Sequence, residues 1–489
     1  MPRPLLLAAL VATLGLAAPA TAGAATAFTA GNGVAPAIAV GPDGTGHVAW
    51  QTDVVGAADQ IQYCRVPSGG SACTGVQTLD FPHPAGTSPV AEDDSTQVFV
   101  PAPGKVVLAA TCFVCGTSGD ATDRTFRWIS TDGGASFGAP DEVGTTVNVD
   151  GQGALLAGDV LALPDRGRVA TMPGGAPQTY AGFFTNFSPS VVAVPGTNQI
   201  LAADNDLESV KYGVFDLGLT PMLTDAALGD PKSQESETDL VAGPKGVFLT
   251  DRQFVPNNEH VLLRRYDPAT LKFGAAHAIE GSDPIDNSAI NPDSYEDPAG
   301  SIHVVYRSNF DGGRLRYLRS DNGGATFSPG QNLAAKEDFR DPRVAADATG
   351  HGFAVWRANG SGPIRVVALD PTFEGGRVPE REATGTVAGA TLALAAPRGC
   401  VLRGSSFKVT LKIKRKKRKG SLFVKIRRAD FFVASKRIKT DKTAPFVQRV
   451  TVDPAKASGS KLVLQVRAFI KVRHGKEPKK SIRTTVTIC

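Results

Sequence analysis

The sequence predicts an all-β protein in two parts, and three observations predict it. Gly and Pro supply 87 of 489 residues without a period of three, so turns are many and a collagen helix is excluded. Short apolar strands bounded by those turns recur from residue 36 to 380, and long amphipathic helical runs are absent. The net charge of +5 is a split: from Arg398 onward 27 Lys and Arg face 4 Asp and Glu, while the remainder holds 25 basic and 43 acidic residues. A +23 segment after a −18 segment marks two domains with different partners. At 42% hydrophobic the chain is apolar enough to fold, and it is too long for one small core.

Residues 1–24 begin with Arg3, continue through the apolar run Leu5–Pro19 and end in Ala20-Thr21-Ala22 and Ala22-Gly23-Ala24. A basic start, a short apolar middle and small residues at an A-x-A site predict a secretory signal. The expected product is therefore secreted, extracellular or held at a cell surface. No later stretch reaches the roughly 18 apolar residues of a membrane span.

Six cysteines in an exported chain predict disulfides. Cys64 and Cys73 flank a hairpin-like tip, and Cys400 and Cys489 bracket the basic tail; both are expected pairs. Cys112 and Cys115 form Cys-Phe-Val-Cys, which reads as a tight disulfide, with a reactive pair and a metal site as alternatives. No histidine cluster or second Cys-x-x-Cys accompanies it, so neither metal nor cofactor is expected.

From 36 to 380 each repeat is an apolar strand, a Gly/Pro/Asp turn, and an alternating strand ending in an aromatic or polar residue. Clear copies are Pro36–Trp50, Asp297–Tyr306 and Arg343–Trp356. Weaker ones centre on Pro101–Gly104, Pro164–Gly167, Pro195–Asn198 and Gly243–Gly246. Seven such turns, about fifty residues apart, read as blades of a β-propeller over residues 27–385, seven in number with six as the alternative. His47 and His303 recur at the exit of the turn, and Trp50, Trp128 and Trp356 at strand ends as inter-blade packing.

Two copies carry a second signature. Ser130, Asp132, Gly134 and Phe137 match Ser320, Asn322, Gly324 and Phe327 in S-x-[DN]-x-G-x-[ST]-[FW]. An Asx side chain accepts backbone N–H groups, Gly permits positive φ, and the aromatic packs beneath the hairpin. The motif resembles the Asp-boxes of sialidase-like (BNR-repeat) propellers, where the boxes mark the fold and lie away from the catalytic site. That resemblance implies an arginine triad, a tyrosine nucleophile activated by glutamate, an aspartate acid/base and an Arg-Ile-Pro element. Cys64-Arg65-Val66-Pro67 is superficially similar to the last, but Arg65 sits inside the cysteine hairpin. Tyr295-Glu296 are strand neighbours that point to opposite sides and cannot pair directly. Tyr212, Tyr266 and Tyr306 are the other tyrosines considered, and no catalytic residue is assigned.

A meander places first–second and third–fourth turns on one face and the remaining loops on the other, the expected mouth. There the sequence collects Arg252, Arg307, Arg340, Arg357 and Asp53, with acidic loops at Glu92-Asp93-Asp94 and at Asp283, Asp286 and Asp293. Such arginines can clamp a carboxylate or sulfate in two-point fashion, or pair with the acids nearby. There is no H-E-x-x-H, no G-x-S-x-G and no phosphate loop.

Residues 386–489 alternate apolar and basic, as in Lys408–Lys414, Leu422–Arg427 and Lys461–Val472. Period two predicts strands with one buried face and a small β-sandwich, similar to the immunoglobulin-like domains appended to secreted bacterial proteins. Its tip, Lys414-Arg415-Lys416-Lys417-Arg418-Lys419, would attract polyanions such as an anionic wall polymer or an acidic glycan; nucleic acid is not expected outside a cell. The expectation is a monomeric extracellular binding protein, its propeller the recognition scaffold for a glycan or protein ligand and its tail an electrostatic tether. An exo-sialidase-type glycoside hydrolase and a structural envelope protein are the alternatives.

Overall fold

The computed structural model describes residues 26–52, 58–83, 90–91, 95–113, 115, 123–146, 151–165, 167–173, 175–179, 189–205, 209–228, 234–254, 260–280, 289–308, 313–328, 330–359, 362–370, 380–388, 390–397, 400–401, 406–414, 424–451, 453, 460–472 and 477–488. The expected signal, 1–24, lies outside them. Among the described residues there is no α-helix, and the one helical turn is the 3-10 segment Ala157–Asp159. No helix among them is long and apolar enough to cross a membrane.

The chain up to residue 370 forms seven antiparallel sheets among the described residues, each of four or five strands. They follow one another along the chain from Val34–Val40 to Pro363–Ala368. Buried clusters lie between consecutive sheets. Ala49, Tyr63, Leu108 and Trp128 join the first to the second; Ala109, Leu161 and Met172 join the second to the third. Further clusters follow between the third and fourth, fourth and fifth, fifth and sixth, and sixth and seventh sheets. Val48, Trp50 and Val66 then pack on Phe353, Val355 and Ile364, joining the first sheet to the seventh. Seven junctions closing on themselves make a ring of sheets, a β-propeller. The three tryptophans lie in these junctions, each at most 2% exposed.

The closure uses both ends of the ring. Phe28–Asn32 pairs antiparallel with Pro363–Ala368 as the outer strand of the seventh sheet. Without it the seventh sheet would have three strands instead of four.

Three first–second turns repeat one device. Asp297 Oδ1 accepts the Ala299 and Ser301 amides, and Asp347 Oδ1 those of Thr349 and His351. Asp43 Oδ1 accepts the Thr45 amide. His47 and His303 leave such turns and pair through Nδ1 with Tyr63 and Tyr317 hydroxyls, at 2.7 and 2.8 Å. The turn at Pro164–Gly167 departs from expectation, because Leu161–Asp165 and Arg168–Met172 are the second and third strands of their sheet. The first strand is only Ala154–Leu155, and the first–second turn is the short Ala157–Asp159 segment, which has Gly158 at φ +74° but no proline. Lys105 of the neighbouring sheet's first turn reaches Asp159 there at 2.6 Å.

Both boxes form the same hydrogen bonds. Ser130 Oγ and Ser320 Oγ accept the Gly134 and Gly324 amides at 2.8 and 2.9 Å and donate to Asp132 and Asn322. Asp132 and Asn322 in turn accept the Ser136 and Thr326 amides. Gly134 and Gly324 have φ of +78° and +79°, and a Cβ there would meet Tyr63 or Leu263 of the preceding sheet at under 3 Å. In the first sheet the same turn position holds the Cys64–Cys73 disulfide, Cα atoms 5.6 Å apart. Cys112 and Cys115 are joined as well.

After residue 379 two further sheets share one core. One orders Glu380–Val387, Ala390–Pro397, Ser406–Lys414 and Phe446–Thr451; the other runs Cys400–Val401, Lys479–Ile488, Lys461–Val472, Val424–Val433 and Lys436–Asp441. Leu392, Leu394 and Leu411 of the first meet Phe431, Leu464 and Ile482 of the second in a cluster that includes no residue of the ring. Cys400 stands opposite Thr487 in a parallel pairing; its expected partner Cys489 and its own side chain lie outside the described residues.

Candidate functional site

Each sheet of the ring contributes one residue at the same level of its inner strand. In chain order these are Ala37, Gln97, Gln152, Ser190, Asp239, Asp293 and Arg343, and most stand opposite a small or β-branched residue of the second strand. At five junctions this residue accepts the amide that follows the corresponding residue of the next sheet. Gln97 Oε1 takes Gly153, the Gln152 carbonyl takes Val191, and Ser190 Oγ takes Leu240. Asp239 Oδ2 takes Ser294 and Asp293 Oδ2 takes Val344, both at 2.7 Å. Inner-strand amides facing the axis have no neighbouring strand, and a buried donor left unpaired costs about 1–3 kcal/mol. Four side chains and the Gln152 carbonyl close that account.

A cavity of about 40 Å³ lies on the mouth side of this level, lined by Gly151, Gln152, Pro189, Thr238, Asp239, Asn291, Pro292, Asp341, Pro342 and Arg343. Asn291 and Asp341, at φ of +50° and +48°, each precede a proline and sit where the inner strand bulges. Asp293 Oδ1 receives Gln152 Nε2 at 2.5 Å and lies 3.4 Å from Arg343 Nη1. Asp239 also accepts the Ser294 hydroxyl, while its Oδ1 is buried without a hydrogen-bond partner among the described residues. Burial raises the pKa of both carboxyls. For Asp293 the charge of Asp239 raises it further, against Arg343 and the bonds to Val344 and Gln152. For Asp239 the Ser294 bonds oppose burial. Burial thus favours the protonated form of these two carboxyls, which stand beside one guanidinium.

The mouth arginines expected from sequence meet partners of their own chain. Arg307 and Arg357 end second strands, at Ile302–Ser308 and Gly352–Ala358. Arg307 lies 3.1 Å from Asp338, and Arg357 lies 2.8 Å from Asp341. Arg340, expected in a loop, belongs to the inner strand Phe339–Ala346, opposite Arg357, and its Nε is 3.0 Å from Asp338. Glu337 of the same segment accepts Trp356 Nε1 at 3.1 Å. Arg252 lies on Gly246–Phe254 of the fifth sheet, half-buried. Asp53, Glu92-Asp93-Asp94, Asp283 and Asp286 lie outside the described residues.

The residues considered for sialidase-type chemistry are engaged or buried within the sheets. Glu296 accepts the Lys245 amide at 2.8 Å under the first turn of the fifth sheet, and burial pushes its pKa up to about 7. Burial also raises the Tyr295 hydroxyl, to about 12. Tyr212 and Tyr266 donate to the Leu271 carbonyl and to Gln199. Tyr306 is buried between the fifth and sixth sheets. Arg65 and Asp132 line a separate hollow on the turn side with Asp43, His47 and Lys105. Lys414 pairs with Glu382; Arg415, Lys416, Lys417, Arg418 and Lys419 lie outside the described residues.

Sequence reasoning missed Gln97, Gln152, Ser190 and Asp239, took Asp293 for a loop acid, and gave Arg343 no role. A signal was present. In the first, fourth, sixth and seventh sheets the axial residue directly follows a proline: Pro36-Ala37, Pro189-Ser190, Pro292-Asp293 and Pro342-Arg343. Proline inside a strand is confined to edges and bulges, so an x-Pro step at one repeat position marks an inner strand turning toward the axis.

No protein-family model matches the chain, and no curated protein matches it. Solved structures similar in fold include a Dyadobacter fermentans protein described as of unknown function, at 14% identity, covering 70% of this chain and 97% of that one, with a TM-score of 0.43. A PL25 ulvan lyase bound to a GlcA–Rha3S saccharide is similar at 9% identity, 69% and 94% coverage and a TM-score of 0.45. The NanB sialidase of Streptococcus pneumoniae is similar at 8% identity, 70% of both chains and a TM-score of 0.40. At these scores the propeller assignment rests on the sheets and junctions above.

Proposed function

We propose that this protein is an exported, monomeric recognition protein, a seven-bladed propeller joined through residues 371–379 to a basic immunoglobulin-like sandwich that tethers it to an anionic surface. The observation that carries the reading is the arrangement of charge after residue 398. Strands such as Lys461–Val472 bury every second apolar residue and turn their lysines and arginines outward. Ion pairs among the described residues of the sandwich include Lys414 with Glu382, Arg427 with Glu477, and Arg428 with Asp430, against 27 Lys and Arg from Arg398 onward. Net +23 is more than solubility requires and favours polyanions. The seven junctions support seven blades over six. Cys400 beside Thr487 supports a Cys400–Cys489 bond.

Recognition is preferred over sialidase-type hydrolysis because Arg307, Arg340 and Arg357 are engaged by Asp338 and Asp341, and Tyr295-Glu296 lies away from them. A fluorogenic sialoside is expected to show no turnover above background. The tether is tested on an anionic matrix, where a chain ending at residue 370 should elute at lower salt than the full chain. Elution of both at one salt concentration rejects the tether.

A further inference from the structure

We infer that the outer face of the five-stranded sheet, rather than the lysine-rich tip, is the contact surface, and that its partner is a polysaccharide bearing carboxylates or sulfates. This rests on the tether reading and names its site and ligand. The inner side of this sheet is fixed by Leu464, Val466, Ala468 and Ile470, all in the core. Alternation therefore sends Gln465, Arg467, Phe469 and Lys471 to the other side. Their cross-strand neighbours share that side. Arg428 and Lys479 flank Phe469, Lys425 faces Lys471, and Phe432 and Arg483 flank Gln465.

Two phenylalanines on a solvent-facing sheet surface need a reason, and each has a guanidinium over it. Arg428 Cζ stands 3.8 Å from the Phe469 ring centroid, and Arg467 Cζ 5.4 Å from that of Phe432. Arg483 Nε is held by Gln465 Oε1 at 2.6 Å. Stacking fixes a guanidinium's plane while its outer N–H groups remain available, so the entropy of ordering it is spent before a ligand arrives. Asp430 is the one carboxylate in this array, and it is already committed to the Thr440 hydroxyl at 2.8 Å and to Arg428 Nε at 3.4 Å. Arg467 makes no ion pair with a described residue. Three pre-oriented forks among lysines, on strands about 4.8 Å apart, match planar anionic groups repeating along an extended chain.

The same stacking argues against nucleic acid. A base needs a ring face to stack on, and the face of Phe469 is held by Arg428. A glycan carrying carboxylates or sulfates asks only for the forks.

The test uses the full chain with polygalacturonate and dextran sulfate as probes at physiological ionic strength. R428Q/R467Q is compared with K408Q/K412Q, which removes equal charge from the outer side of the other sheet. The face variant should bind each polysaccharide at least tenfold more weakly, and the control within twofold of the parent. R428K/R467K, which keeps the charge without the fork, should also lose several-fold. Equal losses in face and control variants, full affinity in the lysine variant, or tighter binding of single-stranded DNA of matched charge would each overturn the proposal. If the face variant is retained like the parent while the chain ending at 370 is not, the tether stands and this surface falls.

Discussion

Asp239 shows how one side chain answers two demands. One oxygen takes the Ser294 amide and hydroxyl, and the other is buried without a partner among the described residues. With Asp293 alongside, both carboxyls hold protons more tightly folded than unfolded. The folded state then binds more protons above the unfolded value of about 4, so this contribution to stability falls as pH rises toward neutrality. Glu296, raised to about 7 by burial, acts in the same direction. His47 acts oppositely: burial lowers its pKa from 6.5 to about 4, so its contribution is lost as pH falls between those values. Asp239→Asn keeps an acceptor for Ser294 and removes the charge. It should unfold at a higher temperature than the parent at pH 8, by an amount of order 1 kcal/mol, with the difference closing toward pH 5. A constant difference across that range, by calorimetry, refutes the assignment. The boxes give a second residue-scale test. Ser320 is fully buried and accepts the Gly324 amide, so Ser320→Ala should cost about 1–3 kcal/mol in urea unfolding.

At the scale of elements, turn chemistry was legible and strand order within one sheet was not. The boxes carry Asx, Gly and aromatic residues at fixed spacing because each atom they satisfy lies within a few residues. The third sheet's inner strand is two residues long, and nothing local distinguishes it from a loop. The cysteine hairpin occupies the box position of the first sheet and does the box's work covalently. Closing a loop of about ten residues is worth about 3 kcal/mol in the chain-entropy account. The double variant C64S/C73S should therefore lose about that much, with the parent under reductant shifting likewise. If reductant shifts parent and variant equally, the hairpin bond is not the source.

At the scale of the molecule, the charge split sets behaviour in solution. A −18 ring and a +23 sandwich attract each other between copies as well as within one. Static light scattering should show association at about 0.01 M salt, where the Debye length is about 30 Å, and none at about 1 M, where it is about 3 Å. Association that persists at high salt would point to apolar contact instead.

By itself the sequence determined the all-β class, the repeat, both boxes, the Cys64–Cys73 and Cys112–Cys115 pairs and the basic sandwich pattern. These depend on neighbours in the chain: period-two alternation, turn geometry and short loops. The tertiary structure decided that Phe28–Asn32 completes the last sheet, that Arg307, Arg340 and Arg357 pair with Asp338 and Asp341, and that Asp239, Asp293 and Arg343 share an axis. The arginine pairs join residues 2 to 31 positions apart, set by how the loop before the seventh sheet and its bulged inner strand fold back, whereas the outer strand and the axial group join residues from about fifty to more than three hundred positions apart. Only closure of the ring brings the latter within reach, because pairing and desolvation energies act over a few ångströms in space and carry no record of distance along the chain.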